Sequence, residues 1–140
     1  KINVLILLSI TKTDINIKKN IRSGCMNSQT FKSLNELIST YQQGKKFFKF
    51  SKREYKLNYE EIFILNYIYN CEDNEITAKD IAKHSELQPY YLTKALQKLI
   101  KMNFLSKKRS EIDERTVVVY VNEQQRKSIN EMIEALQRSL

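Results

Sequence analysis

With 140 residues, 41% of them hydrophobic, the chain can bury one modest core, and this length leaves little room for a second domain. Basic residues outnumber acidic ones by 24 to 16, which predicts an acidic partner, either a nucleic acid or an anionic membrane surface. Two cysteines are too few for a disulfide scaffold, while two glycines and one proline argue against a glycine-rich phosphate loop and favour a mostly helical domain.

Residues 1–25 are predicted to lie outside the fold. The apolar stretch from Ile2 to Ile10 is too short to span a bilayer. A signal peptide is an open alternative, although no cleavage site of small residues follows this stretch. The residues from Arg22 to Gly24 are compatible with a ribosome-binding sequence in the gene, which would place the natural start at Met26. The folded domain is therefore expected over residues 26–140.

From Ser28 onward the spacing of apolar residues predicts a first helix, which Gly44 would end. The following stretch, KKFFKFSKREYKL, is interpreted as a continuation of that helix or a second helix with a basic outer face. That face is either simply solvated or an auxiliary contact to phosphates. The apolar residues of the first helix are Phe31, Leu34, Leu37, Ile38 and Tyr41.

A largely buried helix is predicted after Asn58. Asn58 and Glu61 have the spacing of a capping box, in which each side chain bonds the backbone N–H of the other residue. The run YEEIFILNYIYN is apolar nearly all round, so this helix is expected to form the spine of the core.

The segment 75–102 has the pattern of a helix-turn-helix. Residues 75–77 are predicted to form a short edge strand, and Thr77 with Asp80 has N-cap spacing before the short helix AKDIAKHS. Pro89 suits the first position of the next helix, which is expected to extend to about Met102. The two helices are expected to pack through Ile81, Ala82, Leu87, Leu92 and Leu96.

The second of these helices is predicted to present a polar face to a nucleic acid. Six basic residues and no acidic residue lie between Leu87 and Ser110, which favours a surface facing phosphates over an ordinary solvated helix. Tyr91 is expected to be partly buried and Tyr90 exposed. The proposed contacts of this recognition helix are Gln88, Tyr90, Thr93, Lys94, Gln97, Lys98 and Lys101.

A β-hairpin and a final helix complete the chain. FLSKKR and RTVVVYV are strand-like and are separated by the loop SEIDE. Asn122 and Gln125 then cap a helix with one apolar face. This order of elements is mainly α with a small β-hairpin wing, which is the layout of a winged helix-turn-helix.

The wing combines basic residues with carboxylates. Glu111 is expected to keep the tip of the loop solvated, and Asp113 to bond backbone amides in a loop that lacks glycine. Asp113 or Glu114 is also expected to pair with Arg109 or Arg115 and so to orient the arginine. From their charge, the wing residues expected to face phosphates are Lys107, Lys108 and Arg109.

An enzyme is not predicted. The single histidine, His84, is interpreted as a solvated or core side chain, and the sequence has no catalytic triad, HExxH, P-loop or GxGxxG motif. A redox role for Cys71 is disfavoured because Glu72 and Asp73 beside it oppose a thiolate. No metal or cofactor is expected.

Four stretches carry a resemblance to a known family: LNYEEIFILNYI, NEITAKDIAKHSELQPYYLTKALQKL, LSKKRSEIDERTVVVYVN and QQRKSI. They resemble the staphylococcal accessory regulator family, relatives of the MarR winged-helix proteins, and are most similar to its SarR branch. The resemblance covers residues 30–140, and its most specific part is KKRSxxDERTVxVYV. It implies a cytoplasmic homodimer that binds AT-rich promoter DNA and modulates virulence and global regulatory genes.

The resemblance also implies roles for individual residues. Arg109, Asp113, Glu114 and Arg115 correspond to family residues that matter for DNA binding, which adds Asp113, Glu114 and Arg115 to the proposed DNA contacts of the wing. Dimer contacts are expected from the N-terminal and C-terminal helices, and the redox cysteine of some relatives has no counterpart in residues 28–43. The expected interface residues are Phe31, Leu34, Leu37, Ile38, Tyr41, Ile129, Met132, Ile133 and Leu136.

Residues 89–102 are thus expected to enter the major groove of double-stranded DNA, and residues 107–115 an adjacent minor groove. One alternative is a protein-interaction module that acts through mixed dimers with related regulators and has little DNA affinity. RNA binding is a third possibility that would use the same positive charge. No membrane partner is expected.

Overall fold

The structure, a computed structural model, describes residues 30–140, so the expectations for residues 1–25 and for a start at Met26 fall outside the described part. Residues from Leu34 onward form one compact unit of five helices and three strands. In chain order these are α1 Leu34–Tyr55, α2 Tyr59–Asn70, β1 Glu75–Thr77, α3 Ala78–Ser85, α4 Pro89–Lys101, β2 Ser106–Arg109, β3 Val117–Tyr120 and α5 Glu123–Arg138.

The N-terminal helix is longer than expected, because α1 continues through Gly44 for 22 residues. Glycine costs only about 1 kcal/mol inside a helix, and the half-buried Phe47 and Phe48 provide packing beyond it. The prediction that Gly44 ends the helix was therefore wrong. The helix ends instead at Tyr55, because the next residue, Lys56, has a left-handed φ of 60°. Ser51 Oγ donates to the Leu57 carbonyl 3.1 Å away.

Helix α2 is the spine of the core, as predicted. Ile64, Leu65 and Ile68 are at most 1% exposed, and α2 packs against α3, α4 and α5. The Glu61 carboxylate accepts the backbone N–H of Asn58, which is the bond expected of the capping box. Burial of this helix on several sides explains why its sequence is apolar nearly all round.

A tight turn joins α3 to α4 and gives the helix-turn-helix. Thr77 caps α3 by accepting the Asp80 N–H, as predicted, and Glu86 reverses the chain with a φ of 53°. Ser85 Oγ accepts the Leu87 N–H within the turn, and Pro89 occupies the first position of α4. After α4 the chain leaves through Asn103, which has a φ of 62°.

The three strands form one antiparallel sheet in the order β1-β3-β2. Strand β1 pairs with β3 so that Ile76 faces Val119, and β2 pairs with β3 so that Lys108 faces Val118. We call residues 106–120 the wing. Because β1 leads directly into α3, the sheet ties the wing to the helix-turn-helix.

The C-terminal helix α5 is bound to the core along its length. Asn122 and Gln125 form the predicted capping box, and the buried Gln125 side chain also donates to Ser106 Oγ at 3.0 Å. Arg126 donates to the carbonyls of Ile68 and Asp73 at 2.7 and 2.9 Å and to Asn74 Oδ1 at 3.0 Å. Its fourth acceptor is the Cys71 carbonyl, so a single side chain joins α5 to the end of α2 and to the turn before β1.

Much of the apolar face of α5 is not available to a partner chain. Ile129, Ile133 and Leu136 are 0%, 3% and 4% exposed within the single chain. Their periodicity reflects packing of α5 on α2, which corrects the expectation that these three residues form an exposed dimer surface. Met132 is half-buried and retains some accessible area.

Candidate nucleic-acid interface

Helix α4 divides cleanly into a buried side and an exposed side. Leu92, Ala95, Leu96 and Leu99 are buried, whereas six of the seven proposed contacts are exposed. These six are Gln88, Tyr90, Thr93, Lys94, Gln97 and Lys101. The helix therefore presents a polar, cationic face to solvent, as the sequence predicts.

The two tyrosines at the start of α4 are both exposed. Tyr90 is 61% exposed and Tyr91 is 53% exposed, so the expectation of a partly buried Tyr91 was wrong. The rings contact each other edge to face with centroids 5.6 Å apart. Lys94 Nζ lies 4.7 Å from the centre of the Tyr90 ring, and hydrogen bonding with Tyr90 raises the pKa of Lys94. Lys94 therefore keeps its positive charge at neutral pH.

Lys98 is held by a carboxylate from another helix. Its Nζ lies 3.4 Å from Glu61 Oε2, and the Glu61 side chain is only 6% exposed. Glu61 also caps α2, so it connects α4 to the start of α2. The local sequence does not predict this pair, because the segment between Leu87 and Ser110 has no acidic residue and the carboxylate comes from an earlier segment.

Lys108 is also paired, across the sheet. Its ammonium bonds the Glu75 carboxylate of β1 and lies 5.6 Å from the centre of the Tyr120 ring. The bond to Glu75 raises the pKa of Lys108. Lys107, Arg109 and Arg115 are exposed, and none of them forms an ion pair within residues 30–140. These three are the freely available cations of the wing.

Asp113 shapes the wing loop, as predicted. Its Oδ1 accepts the Arg115 N–H at 3.0 Å, its Oδ2 accepts the Thr116 hydroxyl at 3.2 Å, and its carbonyl accepts the Thr116 N–H at 2.9 Å. Ser110 Oγ accepts the N–H groups of Ile112 and Asp113 at 3.2 and 3.3 Å. These bonds fix a loop that has no glycine.

The expected pairing of a wing carboxylate with an arginine is not present. Within the described part of the chain, neither Asp113 nor Glu114 forms an ion pair with Arg109 or Arg115. Both Asp113 oxygens are used by the loop itself. Asp113 therefore orients Arg115 through its backbone N–H and not through its guanidinium.

An uncovered apolar surface lies on the first turns of α1. Leu34 is 70%, Ile38 45% and Tyr41 66% exposed, and Leu37 is exposed on the same helix. Phe31 precedes the helix and is half-buried. Apolar side chains spaced along one part of a helix in this way are typical of a surface that another chain covers.

His84 and Tyr67 contact each other and have structural roles. The His84 ring packs on Tyr67 with centroids 5.1 Å apart, and its Nδ1 lies 2.7 Å from the Asp80 carbonyl. Burial is the main cause that raises the pKa of Tyr67 to about 12, so its phenol is neutral at physiological pH.

In residues 30–140 no cluster of three or more His, Cys, Asp and Glu side chains could hold a metal ion. None of the helices in this range has the length and hydropathy that a membrane span requires.

Sequence comparisons relate the chain to bacterial regulators. A family model described as transcriptional regulator SarA/Rot matches residues 46–132. The HTH-type transcriptional regulator SarR of Staphylococcus aureus strain USA300 is 55% identical over 104 residues, which cover 74% of this chain and 90% of SarR. These relatives are transcriptional regulators, in agreement with the prediction that the protein is not an enzyme.

Solved structures give the same fold. One of them is the crystal structure of overoxidized AbfR bound to DNA, and AbfR is a protein of Staphylococcus epidermidis. It superposes on this chain with a TM-score of 0.61 at 20% identity, over 74% of this chain and 77% of AbfR. A MarR protein of Peptoclostridium difficile gives a TM-score of 0.61 at 25% identity over 82% of this chain and 75% of that protein. The predicted winged helix-turn-helix is thereby confirmed.

Proposed function

The chain belongs to the SarA/Rot family of transcriptional regulators, and we propose that it acts as a homodimer that binds AT-rich promoter DNA. The observation that carries the proposal is the exposed cationic face of α4 beside a wing whose loop is fixed by internal hydrogen bonds. A rigid scaffold of this kind lowers the entropy lost when its side chains enter a groove. The target genes we infer are virulence genes and genes of other global regulators.

In this proposal α4 lies in the major groove. Its exposed amides and hydroxyls face base edges, while Lys94 and Lys101 contact phosphates. Arg109 and Arg115 enter an adjacent minor groove, where narrow A·T tracts attract arginine. Lys98 and Lys108, which are paired with Glu61 and Glu75, contribute less than the other lysines.

Dimer contacts are assigned mainly to the apolar turns of α1. The exposed side chains of Leu34, Leu37, Ile38 and Tyr41 form the centre of the proposed interface. From α5, the half-buried Met132 is the remaining candidate, because its apolar neighbours are already buried. Two recognition helices related by a two-fold axis would then read two half-sites.

The same apolar surface supports a second candidate function. A related regulator with a matching helix could cover Leu34 and Tyr41 in place of a second copy of this chain. The protein would then act through mixed dimers and would need little DNA affinity of its own.

Binding to AT-rich and GC-rich duplexes of about 30 base pairs tests the main proposal. We expect preference for the AT-rich duplex, and the logarithm of the binding constant should fall with the logarithm of the salt concentration by about 0.9 per neutralised phosphate. Fluorescence anisotropy from about 50 to 200 mM salt measures both quantities. No binding at about 50 mM salt, or a preference for single-stranded RNA of the same length, would contradict the proposal.

The substitution Asp113→Ala is expected to weaken DNA binding about five-fold, although it removes a negative charge from the wing. The reason is that the Arg115 N–H and the Thr116 hydroxyl lose their acceptor and the loop gains freedom. Asp113→Asn is the matched control, since its amide oxygen still accepts the Arg115 N–H while the charge is lost. Anisotropy titrations should show near-normal or tighter binding for Asp113→Asn. Tighter binding by Asp113→Ala would show that charge outweighs loop geometry.

A further inference from the structure

The second half of α1 carries five basic residues on one face. At about 100° per residue, they fall within an arc of roughly 120°. We call them the α1 basic stripe: Lys45, Lys46, Lys49, Lys52 and Arg53. The stripe lies opposite Ser51, which is fully buried, so it faces away from the core.

The stripe is almost free of compensating negative charge. The only acidic residue in the second half of α1 is Glu54, and its carboxylate bonds the neighbouring Arg53. All four lysines are exposed, and none of them has a carboxylate partner within residues 30–140. An ordinary solvated helix mixes the two signs of charge, whereas this face is uniformly positive.

An anionic membrane is a poor match for this face. Helices that lie on a membrane expose apolar side chains next to their basic ones. The exposed apolar side chains of α1, from Leu34 to Tyr41, lie in its first half, where they are assigned to the dimer contact. Beside the stripe, Phe47, Phe48 and Phe50 are half-buried, and the Phe48 ring meets Tyr59 with centroids 5.1 Å apart. The exposed face therefore suits a hydrophilic polyanion.

The end of the stripe lies close to the recognition helix. Helix α1 is followed by Lys56, and only Leu57 separates Lys56 from Asn58, a span of at most about 7 Å. Asn58 and Glu61 line one surface groove together with Lys94 and Lys98 of α4. The groove is also lined by Glu60, and Glu61 pairs with Lys98, so Lys94 and Lys101 are its unpaired cations within residues 30–140. The C-terminal end of the stripe therefore lies only a short turn away from these cations of α4.

We propose that the α1 basic stripe contacts the phosphates of DNA that flanks the segment read by α4. This inference rests on the proposed DNA-binding function and extends its footprint. From Lys45 to Arg53 the helix rises about 12 Å, which matches roughly three to four base pairs of duplex length. The contact adds affinity without base specificity, because phosphates carry no sequence information.

The stripe is tested with the double variant Lys49→Gln/Lys52→Gln on two duplexes, one of about 20 base pairs and one of about 40 base pairs with the same centre. On the longer duplex the variant should bind at least about ten-fold more weakly, and its salt slope should fall by about 0.9 per lost contact. On the shorter duplex it should bind nearly as the unmodified chain does. Hydroxyl-radical footprints should lose protection only at the flanks.

The matched control is Lys127→Gln/Arg138→Gln, which removes two exposed positive charges from α5. If both double variants lose the same DNA affinity, or if Lys49→Gln/Lys52→Gln loses none on the longer duplex, the proposed contact of the stripe with DNA is wrong. The proposed function would stand in either case. If the unmodified chain binds no duplex, both proposals fail. Loss of binding to vesicles of anionic lipid, with DNA binding unchanged, would assign the stripe to membranes and overturn the inference.

Discussion

Replacing Arg126 with alanine is expected to lower the free energy of unfolding by about 3 kcal/mol. The Arg126 guanidinium donates to three backbone carbonyls and to Asn74 Oδ1, at distances from 2.7 to 3.3 Å. Hydrogen bonds to a charged group contribute about 1.5–3 kcal/mol each, and part-buried carbonyls that lose their donor add to the cost. Urea denaturation followed by circular dichroism, at one fixed protein concentration, measures the change.

Two further variants identify the cause of that loss. Lys127→Ala changes the neighbouring exposed residue and should alter stability by less than about 0.5 kcal/mol. Arg126→Lys keeps the charge but not the planar array of donors, so it should recover only part of the stability. If Arg126→Lys were as stable as the unmodified chain, charge rather than the four bonds would account for the role of Arg126.

The double variant Lys94→Ala/Arg109→Ala is expected to bind promoter DNA at least about 100-fold more weakly. It removes one exposed cation from α4 and one from the wing, which lie in different elements and have no carboxylate partner within the described residues. Even about 1 kcal/mol per contact, repeated in both halves of a dimer, adds up to about 4 kcal/mol, which exceeds the roughly 2.8 kcal/mol of a 100-fold loss. Anisotropy titration with the AT-rich duplex measures it.

The same variant separates DNA binding from regulation by mixed dimers. A promoter fusion in cells should lose its regulation together with DNA affinity if the protein acts on DNA directly. Regulation that survives the loss of DNA binding would favour the protein-interaction function instead. The control Lys127→Ala should leave both the affinity and the regulation unchanged.

The parts of the fold that depend on short-range signals could be predicted from the sequence. The capping residues Asn58, Thr77 and Asn122, together with Pro89, place four helix starts correctly, because their signals act within one helical turn. Gly44 misled the prediction, since a glycine that weakens an isolated helix is tolerated where the flanking side chains pack.

Features that depend on contacts between distant segments could not be predicted in the same way. Lys98 pairs with Glu61, and Lys108 pairs with Glu75, over separations of more than 30 residues. No local pattern in α4 or the wing indicates either partner. The apolar periodicity of α5 was visible, but only the packed structure shows that Ile129 and Ile133 face this chain's own α2.

Within residues 30–140, three helices are followed by a residue other than glycine in a left-handed conformation: Lys56, Glu86 and Asn103. A side chain in that conformation costs about 1–2 kcal/mol, yet it leaves the unfolded chain fewer states than glycine would. Two of these residues, Glu86 and Asn103, stand at either end of the segment that holds α4. A change in the angle of α4 would have to alter these two joints, so we expect α4 to keep its angle when the proposed contact with DNA forms.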